Sequence, residues 1–138
     1  MKKSITVNAS PQAVWDAIIS YRTSEPSARS VISQEGPKTV VEEEFGGLPM
    51  VGSSKVVYEE TETPFSRIDF KLVRGDKLSV FEGAWVIRPN GGTTDVDLTA
   101  NLDIELQFPF KDQILNSQAE KDMDKRLQYI KQRAESAL

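Results

Sequence analysis

Ile5-Thr6-Val7-Asn8 alternates apolar with polar residues, and one residue later the chain continues Ser10-Pro11-Gln12-Ala13-Val14-Trp15-Asp16-Ala17-Ile18-Ile19. The first run reads as a short strand and the second as a helix, entered almost without a linker. Ser10 suits the N-cap, where its hydroxyl takes up an orphan amide, and Pro11 suits the first helical position because its φ is preset. Val14, Trp15, Ile18 and Ile19 then share one face. The far end of the chain is different. Residues 110 to 138 read as one long amphipathic helix, with Leu115, Ala119, Met123, Leu127, Ile130, Ala134 and Leu138 recurring every three or four positions. At 1.5 Å per residue such a helix spans roughly 35 to 40 Å, enough to lie across a whole sheet. Asp122 with Arg126 adds an i, i+4 pair, and Lys131 and Arg133 near the end suit the helix dipole.

Between the two ends the hydrophobic period is two. Ser20 to Ser30 carries Pro26, four serines and mixed charge, and reads as a helical turn and loop with at most a short second helix. Punctuation then divides the chain into about six strands. Val31 to Glu35 is a weak one, turned by Gly36-Pro37 into Lys38 to Phe45. Lys55 to Thr61 and Arg67 to Arg74 are joined through Thr63-Pro64. Ile68, Phe70 and Leu72 alternate with Arg67, Asp69 and Lys71. Ser79 to Arg88 puts Phe81, Gly83, Trp85 and Ile87 on one face, and Pro89-Asn90-Gly91-Gly92 is a strong hairpin signal. Val96, Leu98, Ala100, Leu102, Ile104 and Leu106 alternate with Asp95, Asp97, Thr99, Asn101, Asp103 and Glu105. That last strand fixes its register firmly, since a one-residue slip would bury five polar side chains and a threonine. Gly46 to Gly52 is an apolar loop whose Leu48, Met50 and Val51 either fold back on the core or form a lip at a pocket mouth.

A length of 138 residues fits a single domain, 1–138, with a sizeable core. Cysteine is absent, which excludes disulfides and thiolate metal sites. So is histidine, the commonest general base and metal ligand, leaving carboxylates, Lys, Tyr and Arg for any chemistry. Seventeen Lys and Arg against twenty-one Asp and Glu, without a basic run, offer nucleic acid no patch. No apolar stretch approaches the roughly 18 residues of a membrane span, and no signal-type apolar region follows the N-terminal lysines. The expectation is a soluble, cytoplasmic protein with no integral membrane association.

The order of elements and three stretches resemble the START-like superfamily, also called SRPBCC or the birch-pollen-allergen-like helix-grip fold, and within it the polyketide cyclase/dehydrase and coenzyme-Q-binding-protein families. Ser10-Pro11-Gln12-Ala13-Val14-Trp15-Asp16 looks like the "A-S-P-x-x-V-W" start of many members. Thr63-Pro64-Phe65-Ser66-Arg67-Ile68-Asp69-Phe70 is similar to their "P-x-x-I-x-F" strand, and Phe81-Glu82-Gly83-Ala84-Trp85 to "L-x-G-x-W". The terminal helix ending Leu127-Gln128-Tyr129-Ile130-Lys131-Gln132-Arg133 completes the likeness. It implies an α+β fold in which a bent antiparallel sheet of six or seven strands grips the C-terminal helix, with two short helices after strand 1. Members bind lipids, quinones, sterols, hormones or polyketides between sheet and helix, and some use that space for cyclisation or hydrolysis.

In such a fold Phe70, Leu72, Phe81, Trp85, Leu98 and Leu102 of the sheet face Met123, Leu127 and Ile130 of the helix, either as solid core or as the walls of a cavity. Val41, Phe45 and Tyr58 join them as candidate ligand contacts. A cavity of roughly 300 to 1,000 Å³ would be typical, and Met123, with its adaptable thioether, is a prime lining residue. Glu43 lies between Val41 and Phe45. Within Glu42-Glu43-Glu44 it reads as solvated near an edge or rim; turned inward it becomes a functional candidate. Glu43 and Tyr58 are the weak candidates for any catalytic role. Asp95, Asp97, Asp103 and Glu105 stand in a row and do not converge, so they read as a solvated face with no metal site. Trp15 reads as a helix-to-sheet packing residue, and Gly83 as room for a bend or for the Trp85 ring. The leading expectation is a binder of one hydrophobic or amphipathic molecule without a cofactor. A cyclase/dehydratase-type enzyme and a protein-interaction module are the alternatives, and the oligomeric state is open.

Overall fold

The computed structural model of the protein describes residues 1–21 and 29–136. Its elements are β1 (Lys2–Val7), α1 (Pro11–Tyr21), β2 (Arg29–Glu35), β3 (Lys38–Leu48), β4 (Gly52–Thr63), β5 (Arg67–Gly75), β6 (Leu78–Asn90), β7 (Thr93–Ile104) and α2 (Lys111–Ser136). The strands form one seven-stranded sheet in the order β1-β7-β6-β5-β4-β3-β2, each pair antiparallel. The α+β helix-grip expectation is met, with seven strands. The second short helix expected before residue 30 falls largely on residues 22–28, outside the described residues.

Local chemistry explains the boundaries. The Ser10 hydroxyl accepts the Ala13 amide at 3.1 Å, so α1 is capped as its sequence suggests. Val14, Trp15, Ala17 and Ile18 are buried, and Trp15 is a core residue at 7% exposure. Asn90 pairs with Thr93 across a two-residue loop in which Gly91 takes φ 62°, a conformation glycine adopts without steric cost. Between β3 and β4 the chain forms a tight turn. Leu48 folds inward at 8% exposure, while Met50 stands 73% exposed at φ 69°.

The helix α2 buries Leu115, Ala119, Met123, Leu127, Ile130 and Ala134 along one stripe. It lies on β1 and β7 and against α1. Lys131 donates to the Thr6 carbonyl at 2.9 Å, whereas Arg126 reaches Glu43 on β3 at 2.9 Å. One helix therefore touches strands from both halves of the sheet order, which requires the sheet to curve around it. Lys111, 7% exposed, fixes the helix start by donating to the Ile104 carbonyl at 2.6 Å and pairing with Asp103 at 2.9 Å.

The acidic row on β7 is not a uniformly solvated face. Asp97 is 6% exposed and accepts from the Ser4 hydroxyl at 2.6 Å and from Arg88 at 2.9 Å, tying β1, β7 and β6 together. Asp103 is engaged by Lys111, and Asp95 by Thr6 and Asn90. Sequence periodicity placed these side chains on the outer face correctly; it carried no sign of the cross-strand partners that cover Asp97. Leu106, expected to continue the inner face, lies beyond the end of β7 and is 43% exposed.

Gly83 sits where β6 passes between β5 and β7. A Cβ there would lie 1.9 Å from the Thr99 carbonyl oxygen and 2.7 Å from Phe70 Cζ, and the backbone atom cannot yield cheaply. Gly83→Ala is expected to lose about 3 kcal/mol or more in urea unfolding; an unchanged midpoint would contradict the close approach. Burial alone would raise the Asp97 carboxyl, but the Ser4 hydroxyl, Arg88 and Lys2 outweigh it and hold it below the usual carboxylate range. A depressed folded pKa contributes stability that is full above the unfolded value and lost as pH falls. Asp97→Asn should therefore lower stability at neutral pH and flatten the acid limb below about pH 4, as followed by thermal melts across pH.

Candidate functional site

The grip encloses two adjoining cavities of about 50 Å³ and about 150 Å³. They share Phe81, Ala100, Asp122, Met123 and Arg126, so one wall separates them. The smaller is lined further by Ile18, Tyr21, Arg29, Tyr58, Glu60, Phe70, Trp85 and Leu98. Glu43, Glu44, Phe45, Gly46, Leu48, Leu102, Leu115, Gln118 and Ala119 complete the larger. Neither reaches the 300 to 1,000 Å³ expected of a ligand pocket. The difference lies in the aromatic side chains that fill the space: Phe81 stacks on Phe70 at 4.9 Å and meets Tyr58 and Phe45 edge-on at 5.2 and 5.0 Å.

Of the twelve candidate ligand contacts, Phe45, Tyr58, Phe70, Phe81, Trp85, Leu98, Leu102 and Met123 line these cavities. Val41, Leu127 and Ile130 do not; each is packed at 2% exposure or less in the core between helix and sheet. Leu72, paired with Tyr58 beside the β5 bulge at Val73, is partly buried and also off the cavity walls. Periodicity gives the face of a strand or helix, but not how far along it the solid core stops and the hollow part begins.

The polar heart of the site is Glu43. It is not solvated at a rim, for it is 4% exposed and surrounded by donors. The Tyr58 hydroxyl donates to Oε1 at 2.8 Å, and Arg126 Nη2 and Arg29 Nη1 donate to Oε2 at 2.9 and 3.3 Å. Local pairing accounts for this arrangement. Glu43 faces Val56 across β3–β4 and Arg29 across β2–β3, and the helix supplies Arg126 from above. Three donors, two of them cationic, make a buried carboxylate tolerable. Arg126 also donates through Nε to Asp122 at 2.6 Å. The Arg29 guanidinium lies 3.8 Å over the Tyr21 ring, with Arg126 at 5.4 Å from the same ring.

Sequence reading had Arg126 only as the partner of Asp122 on a helix surface, and it missed Arg29 and Tyr21. The one available signal was the position of Arg126: it lies three residues after Met123 and one before Leu127, at the flank of the buried stripe. Burial pushes the Tyr58 phenol well above its ordinary value, with the Glu43 and Glu60 carboxylates adding to the effect. It remains a protonated donor at neutral pH. No group of three or more metal-ligating side chains occurs among the described residues.

Breaking this cluster has graded costs. Tyr58→Phe is expected to lose about 1 kcal/mol, and Arg126→Met about 2 to 4 kcal/mol because it strips a buried carboxylate of a cation. Combined with Glu43→Gln, Arg126→Met should cost less than the sum of the two single changes by at least about 0.5 kcal/mol, a coupling that urea unfolding can read. Because the folded pKa of Tyr58 is raised, its contribution is fully present below about pH 10 and lost above. Spectrophotometric titration should find a phenol that resists ionisation until the protein unfolds, and Glu43→Gln should ease that resistance.

Across residues 1–135 the chain matches the sequence model of the family described as polyketide cyclase/dehydrase and lipid transport. No curated protein matches it in sequence. Among solved structures it is similar to a Thermus thermophilus protein (22% identity, TM-score 0.79, covering 99% of this chain and 97% of the other). The Zhui aromatase/cyclase of a Streptomyces species shares 12% identity at TM-score 0.79, over 98% of this chain and 92% of the other. A START superfamily protein from Mycobacterium smegmatis shares 17% at TM-score 0.75, over 100% and 98%. At such identities these likenesses speak for the fold, and the sequence match speaks for the family. This chain is a member of the polyketide cyclase/dehydrase and lipid transport family.

Proposed function

We propose that the protein binds one hydrophobic or amphipathic small molecule, of the lipid, isoprenoid quinone or polyketide-like kind, between the sheet and α2 without reacting with it. The carrying observation is the hollow itself: two adjoining cavities with mainly apolar and aromatic walls, meeting at one polar cluster built around Glu43. An apolar cavity of about 150 Å³ accommodates a single ring. A longer ligand needs the wall between the cavities to yield. Phe81 is only partly buried, and Met123 carries the most adaptable side chain in that wall, so these two would move first. Burying 300 Å² of apolar ligand surface gains roughly 7 kcal/mol before entropic costs. A cytoplasmic location and the absence of a cofactor belong to the same reading.

A cyclase/dehydratase-type enzyme is the second reading, because Tyr58 and Glu43 both border the cavities. Glu43 already accepts from three protein donors, which leaves at most one lone pair, on Oε1, for a substrate proton. That engagement favours binding over chemistry.

Native mass spectrometry of the purified protein, with thermal melts against a lipid and quinone panel, tests the proposal. The expected result is an apolar adduct, or a member of the panel that raises the melting temperature by roughly 5 to 10 °C at a hundredfold excess over its Kd. Ala119→Leu, which fills the larger cavity from the helix side, should abolish that shift while leaving the fold at least as stable. An empty protein that no panel member stabilises would overturn the reading.

A further inference from the structure

Asn90 and Gly91 meet at the tip of the β6–β7 hairpin, and the dipeptide has a chemistry of its own. Where the main-chain nitrogen after an asparagine reaches the side-chain carbonyl, a five-membered imide closes and ammonia leaves. A glycine in the second place removes the Cβ that otherwise shields that nitrogen. Gly91 leaves the approach open: the space a Cβ would take has no atom within 4 Å, and the Gly91 N–H donates to no protein group among the described residues. Residues 88 to 92 are all exposed, so water and base reach the tip.

Little holds the tip closed. Asn90 pairs with Thr93 in the last rung of the β6–β7 ladder, and the Thr93 hydroxyl donates to the Asn90 carbonyl at 3.0 Å. Asn90 Nδ2 donates to Asp95 Oδ2 at 3.1 Å, which turns the amide away along the strand. The ring therefore closes only after this clasp lets go, and a terminal rung with two side-chain bonds in water opens at low cost. The other asparagines are placed differently. Asn8 precedes Ala9, while Asn101 and Asn116 precede Leu102 and Ser117 inside β7 and α2.

We propose that Asn90 is a site of spontaneous deamidation, paced by release of its side chain from Asp95, and that the product loosens the closure of β7 on β1. The Gly91 nitrogen gives its proton to solvent base and attacks Asn90 Cγ. A C–N bond forms, the Cγ–Nδ2 bond breaks, and Nδ2 leaves as ammonia. Water then opens the imide at one of its two carbonyls, yielding aspartate or isoaspartate, with no oxidation or reduction. In aspartate the donor facing Asp95 has become a carboxylate, and attraction turns to like-charge repulsion. In isoaspartate the main chain runs through Cβ and Cγ, one atom longer, and the carbonyl that accepted the Thr93 hydroxyl hangs off it as a carboxylate. The next residue, Thr94, is fully buried, pairs with Val7 and donates to the Ala9 carbonyl at 2.7 Å. A loosened tip thus reaches the end of the β1–β7 ladder and the entry to α1.

The test incubates the purified full chain, folded or unfolded in urea, at one near-neutral pH. Peptide mapping locates the gain of about 1 Da, and labelling with an isoaspartyl methyltransferase counts the isoaspartate. Asn90 should convert first among the asparagines, and in the folded chain within roughly tenfold of its rate in urea. Asp95→Ala and Thr93→Val each remove one bond of the clasp, so each should speed conversion of the folded chain about threefold or more and leave the rate in urea unchanged. Converted protein, separated by its added negative charge, should melt a few degrees lower, and its β1 amides should exchange with solvent severalfold faster. Conversion confined to the urea sample, or no faster at Asn90 than at Asn116, overturns the site. A rate that neither variant raises overturns the clasp, and an unchanged melt with unchanged exchange in β1 overturns the effect on closure.

Discussion

A straight helix cannot lie flush along its whole length against a sheet that curves around it, and that mismatch governs this protein. The apolar stripe of α2 touches β1 and β7 directly, where Leu127, Ile130 and Ala134 pack into solid core. Further toward the helix start the sheet draws away, and the gap is filled by long aromatic side chains from β3 to β6, imperfectly. The cavities are what those side chains leave over. Placing them needs no special device beyond a helix longer than the contact it can make and strands long enough to bend past it.

Across that gap the contact is ionic. Glu43 and Arg126 span from β3 to the helix where the strands draw away from it, with Tyr58 and Arg29 as further donors to the carboxylate. A buried ion pair of this kind adds little net stability compared with well-packed hydrophobic residues, but half of it is costly to keep. It therefore acts as a spacer that holds helix and sheet at one separation without filling the volume between them.

The fold was legible because its signals are local and periodic. The hydroxyl cap at Ser10, the Asn90-Gly91-Gly92 hairpin and the unbroken alternation from Val96 to Ile104 each specify an element without help from the rest of the chain. The site was legible only in its apolar half. Phe45, Phe70, Phe81, Trp85 and Met123 follow from face assignments, whereas the inward turn of Glu43 depends on three donors supplied by β2, β4 and α2. Within Glu42-Glu43-Glu44 the three carboxylates are chemically identical, and only tertiary pairing distinguishes the middle one. The same blindness hid the burial of Asp97, whose cover comes from β1 and β6.

The order of the sheet also shapes how the chain reaches this structure. From β2 to β7 every strand pairs with its neighbour in sequence, so five hairpins can close one after another with short loops. β1 is the exception: it must find β7 across roughly ninety residues of intervening chain, and it forms the opposite edge from β2. Loop-closure entropy makes that pairing unfavourable until the meander exists to receive it. The amide of Asn8 then donates to the Glu135 carboxylate near the end of α2, which ties the segment after β1 to the far end of the helix. The first strand of the sheet is thus the one that waits for the last, and the grip closes only once both β7 and α2 have been made.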